Sequence, residues 1–210
     1  MQNNLAGTKK LMTKNTASHP LKDYPQTAEL KSGTSITLKA MHADDRSAIM
    51  GFAKQLPEED LLFLTIDLTQ EDSIDGWLAN IKAGSSVSLV AYAEDELVGY
   101  ATVHKETAPW TRKVGEIRVN IAPKMRSQGL GRLLISHIFD TARNLELTKI
   151  LARMTSEQKG AQTAFRKLGF VAEALLTDFI VDHKGLSHDL VMMTFDVDGL
   201  SDQAGGTVKI

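Results

Sequence analysis

The feature that most constrains the fold is one junction, where a predicted strand leads through a proline and two glycines into a helix. Apolar and polar residues alternate along the strand, Val114–Ile121, and Pro123 follows it. Beyond Gly129 the apolar residues recur at the spacing of an amphipathic helix as far as Leu145. A strand–loop–helix unit of this kind directs the first free N–H groups of the helix at one point, which favours a bound phosphate.

The periodicity of the remaining chain predicts a mixed sheet with helices around it. Further strands are predicted at residues 35–39, 87–93, 96–105 and 149–154, and within 170–180 and 189–197. Helices are predicted at residues 44–54, after Pro57, at 74–81 and at 157–168. This order is typical of an α/β or α+β domain, because strand–helix–strand crossovers sit among hairpin neighbours.

One domain is the expected organisation for a chain of 210 residues. We expect it to span residues 34–198, where the periodic segments lie. Residues 1–33 are polar and are predicted to be an extension, either loosely ordered or packed as an arm. Residues 199–210 are predicted to be a C-terminal tail.

Charge and composition exclude several classes of protein. The net charge of -2 gives no electrostatic reason for binding nucleic acid or an anionic membrane. No apolar run is long enough for a signal peptide or a membrane span, so we expect a soluble, cytoplasmic protein. The chain has no cysteine, which excludes thiolate metal sites and a cysteine-linked covalent intermediate.

The glycine loop at residues 126–132 has the composition of an anion-binding loop. A side chain at Gly129 or Gly131 would hold a diphosphate away from the backbone, and Arg126 and Arg132 can add charge-assisted contacts. The loop has neither the three glycines of a dinucleotide-binding fingerprint nor the Lys-Ser/Thr ending of a nucleotide P-loop. Taken alone, the pattern also fits a simple turn before a helix.

A second segment, AQTAFRKLGF at residues 161–170, follows the glycine loop along the chain and has a recognisable pattern of its own. The two segments, in this order and at this spacing, resemble the GNAT superfamily of acyl-CoA-dependent N-acetyltransferases. The resemblance covers roughly residues 34–197. It implies a mixed, mostly antiparallel central sheet flanked by helices, with two central strands that splay apart.

The resemblance also implies which residues hold the cosubstrate, acetyl-CoA. Backbone groups of the splayed strand would pair with the pantetheine amides, and main-chain N–H groups of the loop would cradle the diphosphate. The implied pantetheine residues are Val119, Asn120 and Ile121, and the implied diphosphate residues are Arg126, Ser127, Gln128, Gly129, Leu130, Gly131 and Arg132.

The activity implied by the resemblance is acetyl transfer to a primary amine of a small molecule or a protein, without a metal. Since the chain lacks cysteine, direct attack in a ternary complex is the simplest mechanism. The alternative is a regulatory module that binds acyl-CoA with little or no turnover. Homodimers are common in the family that the chain resembles, although the sequence marks no interface.

Glu116 is the candidate general base. Strand alternation places it on one face with Arg118 and Asn120, and a carboxylate there can accept the amine proton directly or through water. The alternative is a strand carboxylate paired with Arg118 or Arg112. Some relatives carry a base at the position of Arg153, but an arginine cannot act as a base at neutral pH.

The two remaining site residues depart from the family pattern. Many relatives have a tyrosine at the position of Phe165, and its hydroxyl protonates the leaving thiolate. Because Phe165 has no hydroxyl, water or another group must do so here, or the step tolerates departure of the thiolate. Gly169 is predicted to end that helix and to bring Phe165 against Phe170. Gln158 matches a coenzyme-contacting asparagine, but Thr155 and Gln158 also have the spacing of a capping box.

Other polar and aromatic residues carry weaker expectations. The histidines show no metal-ligand spacing, and His104 is a secondary candidate for the base. Trp77 is expected in the core, and Trp110 is a candidate for the lining of an acceptor pocket.

Overall fold

The computed structural model describes residues 20–61, 64, 66–106, 108–182 and 184–197. The strands are β1 (Gln26–Glu29), β2 (Ser35–Ala40), β3 (Ser86–Ala93), β4 (Glu96–Lys105), β5 (Val114–Ile121), β6 (Lys149–Thr155), β7 (Val171–Val181) and β8 (Ser187–Asp196). The helices are α1 (Arg46–Ala53), α2 (Glu58–Leu61), α3 (Glu71–Lys82), α4 (Leu130–Asn144) and α5 (Lys159–Lys167). None of these described helices is long and apolar enough to cross a membrane.

The eight described strands form one mixed sheet in the order β1-β2-β3-β4-β5-β6-β8-β7. The pair β5–β6 is parallel, and the other pairs are antiparallel. Helix α4 makes the crossover between β5 and β6, as a parallel pair requires. The predicted fold class, a mostly antiparallel sheet flanked by helices, is confirmed.

Helices cover both faces of the sheet. On β4, a Cβ at Gly99 would lie 3.3 Å from Leu134 of α4. The next side chain, Tyr100, contacts Phe52 of α1 edge to face and the tilted ring of Trp77 of α3 on the opposite face. Because successive strand residues point to opposite faces, α4 covers one side and α1 with α3 the other. Trp77 is buried, as expected of a core residue.

An aromatic cluster fixes α5 on the face that α4 covers. Phe139 of α4 stacks on Phe195 of β8 with ring centroids 4.6 Å apart. Phe170, just beyond α5, contacts both of these rings and also Phe165 of α5. The cluster ties the end of α5 to the strand that separates β6 from β7.

The structure places an edge strand inside the segment that we expected to be an extension. Strand β1 pairs with β2 between Gln26 and Glu29, and Leu21 and Leu30 on either side of it are buried in the core. This segment escaped prediction because QTAE has neither apolar alternation nor β-branched residues beyond one threonine. Residues 1–19 and the predicted tail, 199–210, lie outside the described residues.

Helix ends differ from the predictions by one to three residues. The predicted helix at residues 44–54 begins as a 3-10 turn, Ala43–Asp45, and becomes α-helical at Arg46. Helix α5 begins at Lys159 instead of residue 157, because Gln158 adopts a non-helical backbone. Helix termini carry unsatisfied backbone groups, so local turns commonly reshape them.

Candidate active site

The central opening of the fold is a splay between β5 and β6. The two strands pair only at Val114–Lys149, Gly115–Ile150 and Glu116–Leu151, and they part beyond Glu116. The predicted splayed strand pair is therefore present. The separation leaves the second half of β5 without a ladder partner on that side among the described residues.

The hydrogen-bond register shows which backbone groups face this opening. At the two ends of the β4–β5 ladder, the Ala122 N–H donates to Val98 C=O at 2.9 Å and the Glu106 N–H donates to Val114 C=O at 3.2 Å. Backbone bonding alternates in an antiparallel pair, so the even-numbered residues of β5 bond to β4. The backbone N–H and C=O groups of Val119 and Ile121 consequently point toward β6, across the splay.

The N-terminus of α4 lies where β5 ends. Gly129 precedes the helix with φ of 99°, a left-handed conformation that favours glycine, and no described side chain caps this end. The Leu133 N–H bonds to Gly129 C=O, so the N–H groups of Leu130, Gly131 and Arg132 have no helical partner. These groups can bind an anion, which the helix dipole also favours.

Gly129 and Gly131 are glycines for different structural reasons. A Cβ at Gly129 would point into open space, so the position is free for a ligand. A Cβ at Gly131 would lie 2.8 Å from Ile121 Cδ1, closer than ordinary contact. Gly131 thus lets α4 approach β5, a packing role that the sequence analysis did not foresee.

The polar side chains of the loop make local contacts or face solvent. Arg126 is paired with the Asp60 carboxylate of α2. Gln128 Nε2 donates to Lys124 C=O at 2.6 Å, and Ser127 is exposed with φ of 61°. Arg132 is exposed on the first turn of α4. Arg126 therefore joins α2 to the loop, a contact that no sequence pattern indicated.

A cavity of about 670 Å³ extends from the splay. Its walls come from β4, β5, β6, α2, α3, α5, the segment between α2 and α3, and the β7–β8 hairpin. Five predicted site residues line it, namely Glu116, Val119, Asn120, Gln158 and Phe165. The loop residues 126–132 lie outside this lining, at the end of β5.

The structure brings Glu116 against two arginines. Arg118 Nη2 donates to Glu116 Oε1 at 3.1 Å, and Arg153 of β6 pairs with Oε2. Arg112 instead donates to the Pro109 carbonyl at 2.6 Å, so the predicted pairing with Arg118 is present and that with Arg112 is not. The Glu116 side chain is only 9% exposed, and the two guanidinium groups offset the cost of burying its charge.

His104 lies directly opposite Glu116 in the β4–β5 ladder and also lines the cavity. Its Nδ1 is 2.8 Å from Ser86 Oγ. Burial, reinforced by the Arg118 charge, lowers the pKa of His104 to about 4, although the Glu116 charge opposes this shift. The imidazole is therefore neutral at physiological pH.

Tyr100 is a polar cavity residue that the sequence analysis missed. Asn120 Nδ2 donates to Tyr100 Oη at 2.7 Å, and burial raises the pKa of the phenol above its usual value. The alternation of Tyr100, Thr102 and His104 along β4 was a usable signal. It becomes informative only once the hairpin register sets these residues opposite Asn120, Arg118 and Glu116.

The end of α5 forms as predicted. Gly169 has φ of 95°, its N–H bonds to Arg166 C=O, and the Phe170 N–H bonds to Phe165 C=O at 3.1 Å. These two bonds define a Schellman motif. The rings of Phe165 and Phe170 meet edge to face with centroids 4.8 Å apart, so the predicted clasp is confirmed.

Gln158 has one half of the predicted capping box. Its Oε1 accepts a hydrogen bond from the Thr155 N–H at 3.0 Å. The reciprocal bond, in which the Gln158 N–H would donate to the threonine hydroxyl oxygen, is absent, because that N–H donates to Thr155 C=O at 3.2 Å. Gln158 also lines the cavity, so contact with a coenzyme stays a prediction beside its local role.

The position of Trp110 does not match its predicted place in the lining of an acceptor pocket. Trp110 is 86% exposed and lies outside the cavity lining. Within the described ranges, no group of three histidine or acidic side chains is placed to hold a metal ion.

Comparison with known proteins defines the class to which this fold and cleft belong. A sequence model of the acetyltransferase (GNAT) family matches residues 49–170, more than half of the chain. The protein is a member of the GNAT acetyltransferase family.

Individual proteins are similar to parts of this chain, in sequence or in structure. Streptothricin acetyltransferase of Streptomyces lavendulae is 28% identical over 88 residues, which are 42% of this chain and 46% of that protein. This chain thus spans less than half of the length of that relative. A GNAT-family acetyltransferase from Streptococcus pneumoniae superposes with a TM-score of 0.67 at 17% identity, over 77% of this chain and 99% of that one.

A further solved structure, yncA of Salmonella typhimurium with its cofactor acetyl-CoA, superposes with a TM-score of 0.67 at 20% identity. The superposition covers 83% of this chain and 99% of that one. Likeness at this level of identity establishes a shared fold.

Proposed function

We propose that the protein is an N-acetyltransferase that moves an acetyl group from acetyl-CoA to a primary amine. The observation that carries the proposal is the β5–β6 splay, which opens beside the uncapped N-terminus of α4. Membership of the GNAT acetyltransferase family supports the same activity. We place the pantetheine arm along the outward backbone groups of Val119 and Ile121, past the side chain of Asn120, and the diphosphate on the N–H groups at residues 127–132.

The chemistry that we propose needs no covalent enzyme intermediate. The neutral amine nitrogen attacks the thioester carbonyl carbon, a carbon–nitrogen bond forms, and the carbon–sulfur bond breaks. One proton leaves the amine nitrogen, and one proton is added to the departing CoA thiolate. The chain has no cysteine to carry the acetyl group, which supports direct transfer within a ternary complex.

We assign the proton-accepting role to Glu116. Its carboxylate lines the cavity and lies at the last paired position of β5, where the strands begin to part. Arg118 and Arg153 engage one oxygen each, so the proton reaches the carboxylate through a water molecule. Phe165 has no hydroxyl, and water accordingly protonates the thiolate.

The experiment that tests this function measures the release of free CoA thiol from acetyl-CoA across a set of primary amines and lysine peptides. Each amine has its N,N-dimethyl derivative as the matched control, because a tertiary amine cannot yield a stable amide. Amine-dependent thiol release, with the acetylated amine seen by mass spectrometry, supports the proposal. Binding of acetyl-CoA without transfer to any acceptor would favour the alternative, a regulatory acyl-CoA-binding module.

A further inference from the structure

We infer that the acceptor amine carries a carboxylate group close to its nitrogen, and that Arg118 and Arg153 recognise that carboxylate. This inference rests on the proposed function, since it names the class of acceptor for the same cleft. Three features of the two arginines support it: their exposure, the balance of charge around them and their unused N–H donors.

The arginines, and not the carboxylate between them, form the polar surface of the cleft. The Glu116 side chain is 9% exposed, whereas those of Arg118 and Arg153 are 25% and 40% exposed. All three residues line the cavity. A molecule that enters the cleft therefore contacts the guanidinium groups directly and reaches the carboxylate only through water.

The charged side chains around Glu116 leave an excess of one positive charge in this part of the cavity. Its titratable lining residues, apart from Tyr100, are Asp60, His104, Glu116, Arg118 and Arg153. Asp60 is paired with Arg126, and His104 is neutral because burial and the Arg118 charge lower its pKa. Two guanidinium groups consequently face a single carboxylate. An anionic group on the acceptor would balance this charge.

The arginines also have donors to spare. A guanidinium has five N–H donors, and among the described residues Arg118 and Arg153 each donate only to Glu116. The planar fork of a guanidinium matches a carboxylate well, and such charge-assisted hydrogen bonds are strong. A polyamine or a lysine-rich peptide, by contrast, would bring further positive charge to a site with an excess of it.

Part of the cavity lining is apolar, which suggests suitable probes. Trp77, Phe179 and Ile180 are among its lining residues. Burial of a hydrocarbon side chain of the acceptor against such residues would be favourable. We therefore choose leucine and phenylalanine as acceptors, and their amino alcohols, leucinol and phenylalaninol, as partners that lack only the carboxylate.

The first experiment compares kcat/KM for each amino acid with that of its amino alcohol. We expect the amino acids to be preferred at least about 10-fold, the scale of one charge-assisted hydrogen bond. Arg153→Met is expected to lower this preference at least about 10-fold. Arg143→Gln removes an equal charge from the exposed face of α4 and should leave the preference unchanged. Equal turnover within each pair, or faster turnover of spermidine, would overturn the inference.

The second experiment is independent of turnover. Calorimetry in the presence of CoA compares the binding of N-acetyl-leucine and N-acetyl-leucinol to the wild-type protein. Tighter binding of N-acetyl-leucine supports the carboxylate site even if no acetyl transfer is measured, an outcome that would contradict the proposed function instead. Equal binding overturns the inference whether or not the protein is active.

Folding of the arginine variants is checked by melting temperature and by acetyl-CoA affinity. Arg153→Lys keeps the positive charge but lacks the planar set of N–H donors of a guanidinium, so it should retain part of the preference for the carboxylate. A loss of acetyl-CoA affinity in Arg153→Met with an unchanged acceptor preference would assign this arginine to the coenzyme and contradict the inference.

Discussion

At the scale of single residues, the central relationship is the contact of Glu116 with Arg118 and Arg153. Alternation along β5 was sufficient to predict that Glu116 and Arg118 share a face. The contact with Arg153 could not be predicted, because it depends on the parallel register that sets Glu116 opposite Leu151. Long-range register of this kind is not encoded in local periodicity.

The proposed role of Glu116 makes a kinetic prediction. Glu116→Gln is expected to lower kcat by about 100-fold to 10,000-fold, because the amide cannot accept the amine proton. Acetyl-CoA affinity, measured by calorimetry, should stay close to that of the wild type. Glu29→Gln, on the exposed edge strand β1, is the control and should retain full activity. Unchanged kcat in Glu116→Gln would show that another group accepts the proton.

The lowered pKa of His104 predicts a dependence of stability on pH. The folded protein keeps this imidazole neutral down to about pH 4, whereas the unfolded chain protonates it below about 6.5. The unfolded state thus binds more protons between these values, so stability contributed by His104 is full above about 6.5 and falls as the pH falls toward 4.

Urea unfolding of the wild type and of His104→Gln at several pH values measures this effect. The free energy of unfolding of the wild type should fall more steeply on acidification than that of the variant, by an amount on the order of 1 kcal/mol after solvent screening. His137 and His188 are present in both proteins, so their contributions to the pH dependence of stability cancel in the comparison. Parallel pH profiles would mean that His104 is not held neutral.

At the scale of elements, the end of α5 was the most predictable part of the site. The Schellman ending at Gly169 follows from a local backbone requirement that glycine meets most readily, and it was predicted from the sequence. The left-handed conformation of Gly129 before α4 was not predicted. The start of α5 was predicted less well, since Gln158 takes the capping position itself. The packing reason for Gly131 depends on the distance between α4 and β5, which no local pattern reveals.

The loop before α4 can be tested with a matched pair of glycine variants. Gly129→Asp places a carboxylate at the proposed diphosphate site, so acetyl-CoA affinity should fall at least about 10-fold. Acetyl-pantetheine, which lacks the diphosphate, should bind the variant and the wild type alike.

Gly33→Asp is the control for that variant. Gly33 also has a positive φ, of 83°, and open space around a Cβ, so both variants carry similar backbone strain of about 1–2 kcal/mol. The control should lose stability but keep its acetyl-CoA affinity. Equal affinities for acetyl-CoA in Gly129→Asp and Gly33→Asp would mean that the loop is only a turn.

At the scale of the whole molecule, the mixed sheet flanked by helices was predicted correctly. Strand β1, at the N-terminal edge of that sheet, was not predicted. Helix α4, which has a strong apolar periodicity, connects β5 to β6, and this crossover sets the two strands side by side in parallel. Strand β1 is four residues long and only half buried, so its position is decided by pairing with β2. The predicted domain boundary at residue 34 stays a prediction.

A pair of leucine variants measures how far the edge strand belongs to the domain. Leu30 is buried beside β1, so Leu30→Ala should lower the free energy of unfolding by about 2–5 kcal/mol. Leu186 is 60% exposed, and Leu186→Ala should change it by no more than about 0.5 kcal/mol. Chemical denaturation measures both. Equal and small effects would show that the segment before residue 34 contributes little to the stability of the domain.

The measurement that tests the central claim most directly is a calorimetric titration of the protein with acetyl-CoA. The claim is that the β5–β6 splay and the N-terminus of α4 together form a coenzyme site. We predict saturable binding of one acetyl-CoA per chain, with an accompanying rise in melting temperature. A titration without saturable binding, and with no change in melting temperature, would contradict the claim.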